Sequence, residues 1–257
     1  MIIAAYGPKG GAGKTTTAVN VATLLAVSGR SVLLIDLEAD LNASISLGVR
    51  PTDASPSIAE VLVNDRRGTD AVRDVAGVTN LSLITGSPQL AAMDERLRNV
   101  RQPERRLADV VKPLAAQFDV VVMDGPAPYS RLGFSVAVAA DELIVPLRAE
   151  YLSLESVAQF LRWYRDRHAE RGSLARIAGV LLTMVDYRRQ ATREIVDIIR
   201  LHNRRGVFAT EIPPDPRVAE APSHGLPLVR YAPSSRGSRA YARLTDEILA
   251  RARRRRA

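Results

Sequence analysis

The residues of this chain best suited to chemistry lie in a short glycine-rich run near its start. The run reads Lys9-Gly10-Gly11-Ala12-Gly13-Lys14-Thr15-Thr16, and it lies between an apolar segment and a helical pattern. Glycines let successive backbone N–H groups turn toward one anion, a lysine ammonium reaches phosphate oxygens, and a threonine hydroxyl ligates Mg²⁺. The run therefore predicts a nucleotide site, with Lys14 on the β and γ phosphates and Thr15 on the metal.

The first lysine distinguishes this run from the common phosphate-binding loop. The common pattern requires glycine at position 8, where this chain has Pro8, whereas the variant pattern K-G-G-x-G-K-T-T fits completely. Lysine is also rare here: Lys9, Lys14 and Lys112 are the only lysines among 36 lysines and arginines. Chance alone would place lysine at both loop positions roughly 1 time in 200. The alternative, an empty strand-to-helix turn, requires one glycine and no lysine.

Two aspartates end apolar segments of the kind that form buried strands. Asp36 follows Val-Leu-Leu-Ile, and Asp124 follows Val-Val-Val-Met. Ligands of an open parallel sheet bind outside the carboxyl ends of its strands, so both carboxylates are expected beside the phosphates and near Mg²⁺. Asp124 is typical of a Walker B carboxylate that holds the metal through water. Aspartate also ends strands for turn chemistry alone, and that alternative weakens because the loop is present.

Composition limits the classes of protein to which the chain can belong. Its 257 residues, with 46% hydrophobic residues, are enough for one large α/β domain over 1–257. The absence of cysteine excludes disulfides, a thiolate nucleophile, cysteine-ligated zinc and iron–sulfur clusters. No basic leader and no apolar run near 18 residues is found, so a cytoplasmic location is expected. The three histidines are too scattered for a metal site, and we interpret them as structural.

Short apolar runs alternate with amphipathic stretches along the chain. This alternation predicts a doubly wound α/β fold, in which helices flank a mostly parallel sheet. Strands are expected at Ile2–Tyr6, Ser31–Asp36, Leu81–Ile84, Asp119–Asp124, Glu142–Pro146 and Ile177–Met184. Helices are expected at Lys14–Val27, Ser57–Val63, Glu104–Gln117, Ser153–Glu170, Ala191–Leu201 and Ser235–Arg253.

Positive charge is concentrated at the end of the chain. Between Leu228 and Ala257 nine arginines stand against Asp246 and Glu247, a balance of +7 within a total of +8. Residues 251–257 are expected to form a basic, arginine-rich tail. A polyanion such as nucleic acid is the natural partner, and a merely solubilising tail is the alternative.

With these motifs in place, the chain resembles the ParA/Soj family of deviant Walker ATPases, which position DNA or other cargo in bacterial cells. The resemblance is carried along most of the chain by four motifs. They are the loop, Leu34-Ile35-Asp36-Leu37-Glu38 with Asn42-Ala43-Ser44, the run from Phe118 to Pro126, and Leu143 to Pro146 with Glu150-Tyr151. The most specific motif is Glu220-Ala221-Pro222-Ser223-His224-Gly225-Leu226-Pro227, continued by Tyr231 to Ser238. MinD-like relatives share the loop but generally lack this later motif.

The resemblance implies a homodimer that sandwiches two ATP molecules, with Lys9 crossing to the partner's phosphates. It further implies nonspecific binding of double-stranded DNA, location on the nucleoid, and hydrolysis stimulated by a ParB-type centromere-binding protein. The implied metal site is Thr15, Asp36 and Asp124, the implied adenine contacts are Thr183, Pro213 and Asp215, and the implied catalytic set is Lys9, Lys14, Glu38 and Asp124.

One departure from the family concerns turnover. The family usually has aspartate two residues after the first acid, to orient the attacking water, and this chain has Glu38. A reacting group displaced by roughly 1 Å costs on the order of 100-fold in rate, so slow hydrolysis is expected. Asp40 and Leu41 likewise replace the usual Gln-Gly, and Asp215 replaces an asparagine.

The expected DNA surface is a set of arginines that would contact phosphate without reading bases. Its members are Arg188, Arg189, Arg193, Arg217 and Arg236. A solvated helix face is the alternative for the first three.

Two other functions remain open: a positioning protein with other cargo or weak turnover, and a MinD-like membrane-cycling ATPase. Membrane binding is disfavoured because the last helix offers only Leu244, Ile248 and Leu249.

Overall fold

A computed structural model describes residues 1–63, 66–98, 100–171, 174–203 and 206–254 of the chain. Within them, seven strands form one sheet in the order β3-β4-β2-β5-β1-β6-β7. All neighbouring pairs are parallel except β3 with β4, so the predicted mostly parallel α/β fold is confirmed. The strands are β1 Ile2–Ala5, β2 Val32–Asp36, β3 Arg73–Asp74, β4 Leu81–Ile84, β5 Val120–Asp124, β6 Glu142–Arg148 and β7 Arg176–Thr183.

Helices cover both faces of this sheet. The α-helices of the described residues are α1 Lys14–Val27, α2 Asn42–Ser46, α3 Ile58–Val63, α4 Met93–Arg96, α5 Arg106–Ala115, α6 Arg131–Ala139, α7 Tyr151–Arg171, α8 Gln190–Asn203, α9 Arg217–Glu220, α10 Leu228–Tyr231 and α11 Arg236–Arg254. One buried cluster joins the sheet to α3, α5, α6 and α7, and the other joins it to α1 and α11. Strands buried on both faces explain the continuous apolar runs of the sequence.

The ends of the predicted strands and long helices agree with the structure to within two residues. Strand β6 runs two residues past its predicted end at Pro146 and pairs with β7 as far as Arg148. On its other side, β6 pairs with β1 only as far as Ile144. Pro146 lies beyond this pairing, so its missing N–H removes no hydrogen bond to β1. The short elements β3, α2, α4, α6, α9 and α10 were not predicted.

The first residues of the predicted basic tail over 251–257 belong to helix α11. Arg251 lies in α11, where its Nη1 donates to the Ala178 carbonyl at 2.8 Å and its Nη2 to the Val207 carbonyl at 2.7 Å. Its guanidinium also lies 4.3 Å from the centre of the Phe208 ring. Arg251 is therefore a structural cation that ties α11 to the sheet. Residues 255–257 of the predicted tail lie outside the described residues.

Candidate nucleotide-binding site

The glycine-rich loop connects β1 to α1 at the carboxyl end of the sheet. Gly11 and Gly13 have φ values of 69° and 94°, in the left-handed region that favours glycine, and α1 begins directly afterwards at Lys14. The loop borders a cavity of about 630 Å³, large enough for a nucleotide. Residues from the predicted set that line it are Lys9, Gly10, Gly11, Gly13, Lys14, Thr15, Thr16 and Glu38.

Asp124 lies at the end of β5 and provides the strongest structural sign of a metal site. It is fully buried, and neither oxygen of its carboxylate has a hydrogen-bond partner. Burial raises the pKa of Asp124 well above its usual value and the negative charge of Asp36 raises it further, while the nearby Thr15 hydroxyl and Lys14 oppose this rise. A buried, unpartnered carboxylate is costly unless a cation compensates it. Mg²⁺ beside Thr15 and Asp124 fits this arrangement.

The expected metal environment is sparse in protein ligands. Among the described residues, no group of three or more histidine, aspartate or glutamate side chains forms a ready cage for an ion. Mg²⁺ usually keeps several waters and binds one or two carboxylates together with the substrate's phosphates. The site therefore suits a magnesium ion that arrives with a nucleotide.

Asp36 has a different role from Asp124, although the two are paired in register across β2 and β5. Its Oδ2 accepts from the Ser44 N–H at 2.9 Å and the Ser44 hydroxyl at 2.7 Å, and its Oδ1 accepts from the Glu38 N–H at 3.1 Å. Burial raises the pKa of Asp36, and the bonds from Ser44 oppose the rise. Asp36 thus holds the loop that carries Glu38, and any action on the metal would go through that loop or through water.

Glu38 lies beside Lys14, the lysine expected to bind the β and γ phosphates. Its Oε1 is 3.8 Å from Lys14 Nζ, and the side chains are 28% and 10% exposed, respectively. Partial burial raises the pKa of Glu38, whereas Lys14 lowers it. The longer side chain of glutamate therefore reaches the lysine that would bind the β and γ phosphates.

The residues predicted near the adenine divide into two groups. The Thr183 hydroxyl donates to the Ala12 carbonyl at 3.0 Å, so Thr183 stabilises the backbone of the glycine-rich loop. Asp215 accepts from the backbone N–H groups of Arg217 and Gly237, at 3.1 Å and 2.9 Å, and so joins the first turns of α9 and α11. Neither they nor Pro213 are among the described residues that line the cavity.

Several lining residues were not identified from the sequence. Met184 and Pro222 border the cavity, together with Asp40, Asn42, Ile45, Ser46 and Ala127. Met184 has a φ of 54°, unusual for a residue with a side chain. The sequence could have indicated Met184 as a lining residue, because it directly follows Thr183. The lining residues of α2 could not be identified without the position of that short helix in the fold.

The predicted DNA-binding arginines are exposed but not all free. Arg188 makes two hydrogen bonds of 2.8 Å with the Asp186 carboxylate, and Arg189 lies 3.9 Å from the same group. Arg193 donates from Nε to the Tyr187 carbonyl. These three flank the first turn of α8, whereas Arg217 and Arg236 begin α9 and α11.

The parallel sheet, the glycine loop before α1 and the buried Asp124 together define a P-loop nucleoside triphosphatase. Comparison with known proteins narrows this class. The family model AAA_31, described as an AAA domain, matches residues 1–172. The sporulation initiation inhibitor protein Soj of Bacillus subtilis is 34% identical over 249 residues, covering 97% of this chain and 98% of that protein.

Two further comparisons agree. The chromosome-partitioning ATPase Soj of Thermus thermophilus is 36% identical over 97% of this chain and 95% of its own length. A crystal structure of cobyrinic acid a,c-diamide synthase from Mycobacterium smegmatis, with bound ADP and magnesium, has a TM-score of 0.83 and 28% identity, covering 96% of this chain and 93% of that one. The chain belongs to the ParA/Soj family of P-loop ATPases. This agrees with the prediction of ATP and Mg²⁺ as cofactors.

Proposed function

We propose that this chain is a DNA-partition ATPase of the cytoplasm and nucleoid. Its ATP-bound form is a homodimer that binds double-stranded DNA nonspecifically, and a ParB-type centromere-binding protein stimulates its hydrolysis of ATP. The observation that carries the proposal is the position of the two loop lysines. Both border one cavity, but they differ in burial and in partner.

Of the two lysines that border the cavity, Lys14 is the more buried and Lys9 the more exposed. The Lys14 side chain is 10% exposed, and that of Lys9 is 34% exposed. Lys9 Nζ is 4.0 Å from Glu150 Oε2, at the limit of an ion pair, while Arg148 holds the other oxygen of Glu150 at 2.6 Å. Because Lys9 forms only this weak ion pair within the described part of the chain, its flexible stem is available to reach phosphates of a second copy.

Magnesium, when bound, would neutralise charge that develops on the β and γ phosphate oxygens. The residues of the chain supply position: Lys14 and the loop N–H groups hold the phosphates, and Thr15 and Asp124 hold the metal. Asp36 keeps the Glu38 segment in place through Ser44. Such positioning is the main contribution that a protein makes to phosphoryl transfer to water.

The arginine surface supports DNA binding through phosphate contacts. Arg188, Arg189 and Arg193 surround the start of α8, where the helix dipole disfavours positive charge, so helix stability does not explain them. The contacts of Arg188 and Arg189 with Asp186 are of the kind that phosphate oxygens can replace. Asp215 joins the first turns of α9 and α11, which carry Arg217 and Arg236.

A titration of duplex DNA with ATP, ADP or no nucleotide tests this function. If a dimer places five arginines from each subunit on phosphates, affinity should fall by about 10⁵-fold between about 50 mM and about 200 mM salt. Replacing Arg188 and Arg189 by alanine should weaken binding to all duplexes alike. The matched control replaces Arg165 and Arg167 of α7, two exposed arginines that also have acidic neighbours. DNA binding that is independent of ATP would refute the proposal.

A positioning protein with weak turnover is the second candidate, and the Glu38–Lys14 contact favours it. Glu38 must leave Lys14 before phosphate binds, and must then orient water from a longer side chain. If this limits the rate, Glu38→Asp should raise ATP turnover by about tenfold or more, and Glu38→Gln should lower it. Equal rates for the wild type and Glu38→Asp would show that Glu38 does not limit hydrolysis, and this candidate would lose its support.

Membrane cycling has less support than either candidate. Of the three apolar side chains, Leu244 and Ile248 are buried in the cluster that α11 shares with α1 and the sheet, and Leu249 packs against it, so α11 does not present an apolar face to lipid. Among the described residues, no helix combines the length and the apolar character needed to cross a bilayer.

A further inference from the structure

A second groove lies between α3 and α5, on the face of the sheet opposite α1 and α11. Its volume is about 370 Å³, and it shares no described lining residue with the nucleotide cavity. The arginines assigned to DNA are also absent from its lining among the described residues. An occupant of this groove would therefore leave the nucleotide and DNA surfaces accessible.

The floor of the groove is apolar. Val61 and Leu114 rise from the buried core, and Val110 and Pro113 of α5 extend the floor toward solvent. The adjoining loop lies directly on this floor, because a Cβ added at Gly68 would be 2.8 Å from Leu114 Cδ1. Beside this loop, the accessible surfaces of Val110 and Pro113 form a contact site for one apolar side chain.

The rim of the groove is basic. Arg66 and Arg67 are exposed, and the Arg67 side chain is 84% accessible beside a 3.5 Å contact with Asp70. Arg106 is fixed at the groove because its Nε donates to the Leu62 carbonyl at 2.9 Å. Asp109 is the one acid among the described lining residues, and Asp70 pairs with Arg67, so three arginines against two aspartates give a balance of +1.

We infer that this groove binds an acidic protein segment, a stretch of aspartate and glutamate around one aliphatic or aromatic side chain. Guanidinium groups on the rim match carboxylates, and the apolar floor would bury the central side chain. Duplex DNA fits less well because its outer surface offers phosphates without an apolar side chain that could contact the floor. The inference goes beyond the proposed partition activity and gives the molecule a surface for a cargo adaptor.

Fluorescence anisotropy with defined peptides tests the inference. The probes are labelled acidic peptides that differ only in whether a central leucine, phenylalanine or tryptophan is replaced by glycine. Burial of the anchor should make at least one anchored peptide bind about tenfold or more tightly than its glycine partner. The variant Arg66→Glu with Arg67→Glu should remove this binding, and Arg165→Glu with Arg167→Glu on α7 should not.

Separate measurements on the same variants distinguish this surface from the proposed function. ATP turnover and duplex binding of the groove variant should equal those of the wild type. The inference is overturned if no anchored peptide binds at about 1 mM, if anchored and glycine peptides bind alike, or if the α7 variant loses the peptide equally. Loss of duplex binding in the groove variant would instead assign this surface to nucleic acid.

Discussion

The substitution Asp124→Asn should separate stability from function at the nucleotide site. In the wild type the Asp124 carboxylate is fully buried, and both of its oxygens lack hydrogen-bond partners. Leaving a buried polar group unsatisfied costs about 1–3 kcal/mol, and more when it is charged. The neutral amide is still unsatisfied but carries no charge, so only the extra cost of the charge is recovered, and we expect the nucleotide-free variant to gain about 1 kcal/mol or more in free energy of unfolding.

The matched control is Asp36→Asn, at the paired position of the neighbouring strand. Asp36 is equally buried, but its carboxylate accepts three hydrogen bonds, from the Glu38 N–H and from the N–H and hydroxyl of Ser44. An amide has one acceptor oxygen, so at least one donor loses its partner. We expect Asp36→Asn to lose about 1–3 kcal/mol, a change of the opposite sign.

Urea unfolding without nucleotide, and again with MgATP, measures both effects. At a concentration of about 100 times Kd, MgATP should stabilise the wild type by about 2.7 kcal/mol. If Asp124 holds the metal as proposed, Asp124→Asn should lose most of this increment. The reasoning is refuted if Asp124→Asn is less stable than the wild type without nucleotide, or if it keeps the full increment from MgATP.

Three further predictions concern residues that support the site or the fold. Thr183→Val removes the hydrogen bond to the Ala12 carbonyl, so it should lower the free energy of unfolding by about 1 kcal/mol and weaken ATP binding, whereas Thr183→Ser should keep the stability and the ATP affinity of the wild type. Equal calorimetric ATP affinities for the two variants would contradict this role of Thr183. Arg251→Met removes two bonds to backbone carbonyls, the ion pair with Glu247 and the contact with Phe208, and in urea unfolding it should cost about 2–3 kcal/mol. The exposed Arg253→Met should cost little, and similar losses in both variants would be evidence against the structural role of Arg251. Burial would raise the pKa of Glu247, but the N–H groups of Ala209 and Thr210 hold that pKa below its usual value. The contribution of Glu247 to stability is therefore present above the usual pKa and lost as pH falls through the lower native pKa. Glu247→Gln should make the free energy of unfolding depend less on pH in this acidic range, and an unchanged dependence would contradict the role of Glu247.

Much of the architecture was predictable because its main elements have strong local patterns. Strand β5 is a continuous apolar run ending in Asp124, and α1 follows directly after a glycine loop. The missed elements lack such patterns. Helix α6 reads Arg-Leu-Gly-Phe-Ser-Val-Ala-Val-Ala and is buried on much of its surface, so it has little polar face to reveal its period. Strand β3 has two residues and exists only through its pairing with β4.

The site was predictable to the level of motifs but not to the level of contacts. The glycine run and the two strand-end aspartates come together at one edge of the sheet, as expected from its topology. Nothing in the sequence distinguished Asp36 from Asp124, because the difference lies in the tertiary position of Ser44. Arg251 was likewise grouped with the terminal arginines, since its contacts with Ala178 and Val207 join residues distant in sequence.

The most direct test of the account is the solution mass of the protein with MgATP, measured by analytical ultracentrifugation for the wild type and Lys9→Ala. Lys9 is partly exposed and weakly paired, so the substitution should leave the fold and ATP binding by Lys14 in place. We predict that the wild type forms a dimer with MgATP and a monomer with MgADP, and that Lys9→Ala remains a monomer with both. An Lys9→Ala variant that dimerises normally with MgATP would contradict the central claim that Lys9 couples ATP to dimer formation.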